Sequence, residues 1–455
     1  MKSYSYLFKA CFLSLVLAIF ASSCGQATLP APGANALPTG SPRPANAATL
    51  PPVPAQGNYL QSKLVRITSP NVPEADLAQL ARDNNAFAVA LYKQLGSVDG
   101  NLFLSPYSIS LALAMVYGGA AGDTGTQMAQ ALHFSLPQER LHPAMNALSQ
   151  KLSSYALGND PSHGFSLNIA NAVWSQQGFQ FLPAYLDLLS QDYGAGLHLA
   201  DFVHAAEASR KAINDWVDQQ THGKITNLFP QGSINAATRL VLANAIYFKA
   251  TWDSTFDPAR TENANFYLAD GTTTRVAMMH SRENASYSYA RGDGYQAVGL
   301  PYAGTPVQMV IIMPDGGKFA GFQSGLNAAQ LDTILSGMSG SPLDLAMPKF
   351  KIEAVFDLKN TLASLGMPDA FNDKADFSGM DGKKDLYISD ILHKAYVNVD
   401  ENGTEAAAAT GVAVGVMAMP AQSQKVTIDH PFLFLLYDPQ TNTILFMGRV
   451  MNPGG

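Results

Sequence analysis

The chain has 455 residues, a formal net charge of -7 from 28 Lys and Arg against 35 Asp and Glu, 47% hydrophobic residues and 14% charged ones. That mix excludes a disordered chain, a collagen and a coiled coil, and an acidic chain without basic runs is a poor partner for nucleic acid. Two cysteines exclude a disulfide framework and a cysteine-based zinc site.

Lys2 and Lys9 precede an apolar run, Ala10 to Ala21, too short to span a bilayer and suited to the core of a secretory signal. The run ends in Ala21-Ser22-Ser23-Cys24. Small residues before a cysteine resemble the bacterial lipoprotein cleavage box, in which the cysteine is lipidated and becomes the new N-terminus. Ordinary cleavage that leaves Cys24 free is the alternative. Residues 1–23 are therefore read as a lipoprotein signal peptide and Cys24 as the lipidation site. The expected location is extracytoplasmic, in the cell envelope, with acyl chains as the membrane anchor. Removal of residues 1–23 takes Cys11 with it, so no intrachain disulfide is expected. Residues 24–57 are rich in Pro, Ala and Gly and lack an apolar period; they read as an extended tether.

The folded body is assigned to residues 73–455. Pro73 to Leu95 reads as a helix, with proline and then acids at its start. A second helix follows Ser105-Pro106, with Ser105 placed to cap and Gly118-Gly119 to stop it. Segments 122–133, 140–156, 183–193 and 205–220 also read as helices. Strand-like runs lie between and after them: Leu167 to Trp174, Arg239 to Phe248, Val307 to Met313, Leu343 to Ala346 and Lys394 to Val399. The chain closes on Val426 to Ile428, Phe432 to Tyr437 and Thr443 to Val450, the last two joined by the turn-rich Asp438-Pro439-Gln440-Thr441-Asn442. Early helices and late strands, without βαβ alternation, predict an α+β fold with mixed or antiparallel sheets.

Enzyme signatures are missing. There is no G-x-S-x-G elbow, GxGxxG, P-loop or H-E-x-x-H, and nine histidines are scattered without ligand spacing. No cofactor or metal is expected, and the chain reads as a non-enzyme. One stretch needs a functional account: Glu401-Asn402-Gly403-Thr404-Glu405-Ala406-Ala407-Ala408-Ala409-Thr410, continuing to Pro420. It carries no large side chain before Met417. By propensity EAAAA is helical, by context it links two strands, and the plainest reading is a flexible Ala/Gly loop.

Together these segments resemble the serpin family over roughly Asn84 to Pro453. The motifs run in order: NLFLSPYSISLALAMVYGGAAGDT (101–124), INDWVDQQTHGKITNLF (213–229), LVLANAIYFKATW (240–252), MPKFKIEAVFDLKNTLASLGM (347–367), AFNDKADFSGM (370–380), HKAYVNVDENGTEAAAAT (393–410) and DHPFLFLLYDPQTNTILFMGRV (429–450). The resemblance implies three β-sheets, about nine helices and an exposed reactive-centre loop, here residues 401–424. It implies a monomer whose partner is a target serine protease. The protease cuts the loop and becomes an acyl-enzyme; the loop's N-terminal part then inserts into the large sheet and drags the enzyme along.

Insertion requires alternate side chains to enter a buried face. The inward set Thr404, Ala406, Ala408 and Thr410 is small throughout, and Glu405 falls outward with Ala407 and Ala409. A charge facing inward would oppose insertion by several kcal/mol, whereas a new strand gains on the order of 10 hydrogen bonds, roughly 5–15 kcal/mol net. Such a hinge, with Gly403 as its pivot, favours an inhibitor over a carrier, storage or chaperone role. The family's spacing from Gly403 puts the reactive bond at Met417–Ala418, with Val416 and Ala418 as alternative cut positions. No Lys or Arg occurs from Glu401 to Gln424, which disfavours trypsin-like targets and points to elastase-, chymotrypsin- or subtilisin-like enzymes. The resemblance also implies a polar cluster under the opening strands (Ser105, Ser108, Asn244, His393) and a region of first insertion (Trp252, Lys349, Glu401), with a Lys349–Glu401 ion pair holding it closed. A Ser105–His393 hydrolase is the enzyme alternative, which burial of both residues would dismiss. Only Arg140 and Lys151 are basic within 140–156, so glycosaminoglycan activation is not indicated.

Overall fold

The computed structural model describes residues 58–97, 99–157, 164–282, 285–405 and 423–455. Cys24, the signal and tether, residues 406–410, Met417 and Ala418 lie outside them. Among the described residues there are ten α-helices and seventeen strands. In chain order these are Asn58–Leu60 (β1), Glu74–Leu95 (α1), Leu102–Leu104 (β2), Pro106–Tyr117 (α2), Gly122–Ala131 (α3), Gln138–Leu157 (α4), Ser166–Gln176 (β3), Pro183–Leu188 (α5), Leu197–Ala200 (β4), Ala206–Gln220 (α6) and Leu240–Thr251 (β5). Then come Glu262–Tyr267 (β6), Thr273–His280 (β7), Ala285–Gly292 (β8), Tyr295–Pro301 (β9), Gln308–Pro314 (β10), Phe319–Gly325 (α7), Ala328–Ser336 (α8), Ser339–Pro348 (β11), Phe350–Asp357 (β12), Lys359–Ser364 (α9) and Ser378–Asp381 (α10). The last are Ile388–Asp400 (β13), Gly403–Thr404 (β14), Gln424–Thr427 (β15), Phe432–Asp438 (β16) and Thr443–Val450 (β17).

Local chemistry explains the helix ends. The Ser105 hydroxyl accepts from the Ser108 N–H at 3.2 Å and Pro106 takes the first turn, so α2 starts where its cap dictates. Every residue of α2 is buried, as expected of a helix with no polar face. The predicted helix over 183–193 splits: α5 runs on as a π-helical turn, Leu189–Tyr193, that ends at Gly194 with φ 63°. The strand over 343–346 extends to Ser339–Pro348. Strands β1, β2, β4, β6 to β9 and β12 are not anticipated as strands, nor are α7 to α10 as helices. The outer strands expose many of their residues and mix Asn, Thr, Ser and Arg among their apolar positions, so neither an apolar run nor a clean alternation marks them.

Two hydrogen-bonded sheets result. The seven-stranded sheet has the order β1-β4-β3-β5-β14-β13-β12. The ten-stranded one follows β2-β17-β16-β10-β9-β8-β11-β7-β6, with β15 attached to β11. The three sheets implied by the resemblance are present as two because β11 pairs with β8 at its start and with β7 at its end, which joins the second and third. Within the first sheet β5 and β13 run parallel, from Leu240 opposite Ile388 to Tyr247 opposite Tyr396. Side chains of β5 alternate between two cores. Leu242, Ile246 and Phe248 join the main core with α2, whereas Val241, Ala243 and Ala245 join a smaller one with Ile213, Trp216 and Val217 of α6.

Candidate functional site

The site is the seam between β5 and β13. At its upper end β13 turns back through Glu401 and Asn402, a turn closed by the Asn402 N–H donating to the Asp400 side chain at 2.8 Å. The returning β14 wedges between its neighbours and is antiparallel to both. Gly403 lies opposite Asp400 and Thr251; Thr404 lies opposite Val399 and Ala250. Gly403 has φ 153°, and a Cβ there would stand 2.1 Å from the Ala250 carbonyl oxygen, so only glycine fits. Thr404 is fully buried and its hydroxyl hydrogen-bonds to the Tyr302 hydroxyl at 2.6 Å.

Around this wedge the side chains of Trp252, Glu401 and Thr404 are each paired. Trp252 stacks on Tyr302 with centroids 4.6 Å apart, donates its indole N–H to the Asp400 carbonyl at 2.9 Å and its backbone N–H to the Asn402 carbonyl at 2.9 Å. The buried Glu401 carboxylate meets Lys349 Nζ at 2.6 Å and accepts from the Thr261 hydroxyl at 2.7 Å. Burial works to raise the Glu401 pKa, but the hydrogen bonds from Lys349 and Thr261 outweigh it and hold the carboxyl below its ordinary range. Glu405 follows just past the strand, donates its N–H to the Asn398 carbonyl at 2.7 Å and is ion-paired with Lys224.

Midway down the seam a polar rung crosses three strands. Asn171 of β3 lies opposite Asn244 of β5, and Asn244 opposite His393 of β13. His393 is fully buried; its Nε2 accepts from the Ser105 N–H at 3.1 Å, which leaves the proton on Nδ1 to donate to the Asn244 carbonyl oxygen. The Asn244 amide donates to the Ser108 carbonyl at 2.8 Å and to Asn171 Oδ1 at 2.6 Å, and Asn171 donates to the Ser108 carbonyl at 3.0 Å. Burial pushes the His393 pKa down to about 3, so the ring is neutral. Ser105 donates its hydroxyl to the Leu445 carbonyl at 2.6 Å, pointing away from the imidazole. With both groups sealed in the core and the hydroxyl committed elsewhere, the Ser105–His393 hydrolase alternative is dismissed.

The structure thus brings Ser105, Ser108, Asn244 and His393 into one cluster and Trp252, Lys349, Glu401, Gly403 and Thr404 into another. Residues 406–410, Met417 and Ala418 are not among those it describes. Sequence reasoning missed Asn171, Thr261, Tyr302 and Lys224. Asn171, two residues before the apolar pair Val173-Trp174 of its strand, is the one with a local mark, a polar residue in a strand; the other three act across the fold and carry none. Among the described residues no group of three or more His, Cys, Asp or Glu is arranged to hold a metal ion.

A family model for serpin (serine protease inhibitor) matches residues 82–453. The leukocyte elastase inhibitor of Bos taurus is 39% identical over 386 residues, spanning 83% of this chain and 100% of its own. Among solved structures, a thermophilic serpin, tengpin, in its native state superposes with a TM-score of 0.76 at 29% identity, covering 87% of this chain and all of that one. Human thyroxine-binding globulin, solved in a ligand complex, gives 0.73 at 30% identity over 83% of this chain and 99% of its own. Motif order, sheet topology and the wedged hinge agree with a family match that spans most of the molecule: the chain belongs to the serpin family and is not an enzyme.

Proposed function

We propose that this serpin is a suicide-substrate inhibitor of serine proteases with apolar specificity. The observation that carries the reading is the seam entered only at its top: Thr404 is already an inward-facing, doubly paired strand residue between β5 and β13, while below it those two strands still pair directly. Because β5 and β13 are parallel, a chain that doubles back from β13 is antiparallel to both and continues into the gap without a crossover.

The chemistry begins at Met417. The serine hydroxyl of the protease adds to the Met417 carbonyl carbon, the C–N bond to Ala418 breaks, the Ala418 amine leaves with a proton, and an ester joins Met417 to the enzyme. Cutting frees residues 405–417 to follow β14, a reach of about 40 Å in extended form. Continuing its register brings Thr410 opposite Asn244 and His393. A threonine hydroxyl there both donates and accepts, so it replaces the Asn244–His393 bond that the parting strands lose. Lipidation at Cys24 would hold this trap at a membrane surface by its tether. No helix among the described residues is long and apolar enough to cross a membrane.

Incubation with elastase-, chymotrypsin- and subtilisin-like enzymes is expected to yield an SDS-resistant complex with at least one. Cleaved product alone, with none of them stalled, contradicts inhibition. The same fold serves a ligand-binding protein, and a carrier role predicts no rise in melting temperature when the loop is nicked.

A further inference from the structure

The strand β14 stops after two residues although its register could continue, and the reason lies at Glu405. This residue makes the first hydrogen bond of the next rung with Asn398 but has φ 50°, a left-handed conformation unusual for a side chain of its size. A strand needs φ near -140° to -120°, so Glu405 must flip before the chain can extend. Its carboxylate is held down by Lys224, in the segment that follows α6, and its second oxygen is buried without a hydrogen-bond partner. Lys224 in turn lies 5.8 Å from the centre of the Tyr247 ring.

Tyr247 and Tyr396 form the last closed rung of the seam. The carboxylate lies close enough to Tyr247 to add to the effect of burial in raising its phenol pKa, and Lys224 feels both Glu405 and Tyr396. The register of β14 assigns the place between Tyr247 and Tyr396 to residue 407. The Glu405–Lys224 pair therefore sits over the rung that must open next. The same segment is fastened to β13 lower down, where Lys394 donates to the Thr226 carbonyl at 3.3 Å.

We propose that Lys224 is a positioning residue for the trap: by holding Glu405 in its left-handed turn over the Tyr247–Tyr396 rung, it stops the uncut loop from zipping into the sheet. This rests on the insertion reading above. The pair belongs to the loop-out state, so removing it raises the free energy of that state and leaves the inserted state unaffected.

The test compares wild type, Lys224→Gln, Glu405→Gln and the charge-swapped double variant Lys224→Glu/Glu405→Lys, each intact and after nicking with thermolysin, which forms no acyl-enzyme. Intact Lys224→Gln is expected to convert on warming to a heat-resistant form roughly two- to fivefold faster than wild type, the scale of one partly exposed ion pair. Its nicked form is expected to melt with nicked wild type, and the double variant to recover the slow conversion. Equal losses in the intact and nicked forms, or no change in conversion rate, overturn the role of Lys224 while leaving insertion intact. A nicked wild type that melts no higher than the intact protein overturns insertion and this proposal together.

Discussion

Two strand interfaces of this protein, both with buried centres, are built for opposite ends. In the ten-stranded sheet β16 is buried along its whole length and lies antiparallel between β10 and β17. Its central residues, Phe434, Leu435 and Leu436, are fully buried members of the main core. In the seven-stranded sheet the β5–β13 seam is buried at its centre and part-exposed along β13 at Tyr396, Asn398 and Asp400; it is parallel, carries the Asn171–Asn244–His393 rung at its middle and holds two residues of a third strand at its top. Burial alone therefore does not mark what can move. Parting an apolar interface exposes surface and offers nothing in return. Parting a hydrogen-bonded rung leaves donors and acceptors that an incoming strand with small inward residues can satisfy.

The sharpest way to break that contrast is at the wedge. Thr404→Arg places a charge at a fully buried position of the seam, and inhibition is expected to fall by at least 100-fold, the protein becoming a substrate; complex formation on gels checks this, and retained inhibition contradicts the account. Leu435→Ala, in the sheet that stays closed, is expected to cost about 2–5 kcal/mol in the intact and the nicked protein alike, read from denaturant melts. A loss confined to one form would erase the distinction between the two interfaces.

Acid probes the rung. The folded pKa of His393 is lowered to about 3 from 6.5, so below pH 6.5 the unfolded chain binds the proton that the folded chain refuses. Stability falls as pH drops from 6.5 towards 3, with a limiting slope of about 1.4 kcal/mol per pH unit from this residue. Burial lowers His142 and His198 to about 4, and they act in the same direction. His430 acts oppositely: burial lowers its pKa, but hydrogen bonds to Asp429 and Pro314 raise it on balance, so its stabilisation is lost as pH rises. Melts of His393→Gln between pH 7 and pH 5 are expected to show a shallower acid slope than wild type; an unchanged slope contradicts a neutral buried imidazole. The last effect is at the rim. Lys349 is partly exposed, but Lys349→Ala leaves the buried Glu401 carboxylate with Thr261 alone, and intact stability is expected to fall by about 1–3 kcal/mol. The Glu401 contribution is present above its ordinary pKa of 4.5 and is lost as pH falls through the lower folded value.

Much of this is legible in the sequence. Ser105 and Pro106 announce the start of α2 because a cap and a fixed φ act within four residues. The strands β16 and β17 read as apolar runs because both their faces are buried. The hinge was legible because its rule is compositional: small residues at alternate positions, with glycine at the pivot. Strands β6 to β8 were not, since they bury few of their residues and the alternation that marks a strand is lost. Ser108 and Asn244 are named through the family motifs, but that Asn171 joins them is not.

The chain alone determined its helix caps, its inward set of small hinge residues and the order of motifs that places it in its family, because each of these is a property of neighbours along the backbone. Tertiary structure decided that Asn171, Asn244 and His393 share one rung, that Tyr302 receives Thr404, and that Lys224 reaches Glu405 across 181 positions of sequence. Those depend on strand register and on which segments cross in space, and no local pattern encodes a register between strands whose facing residues are 73 to 149 positions apart.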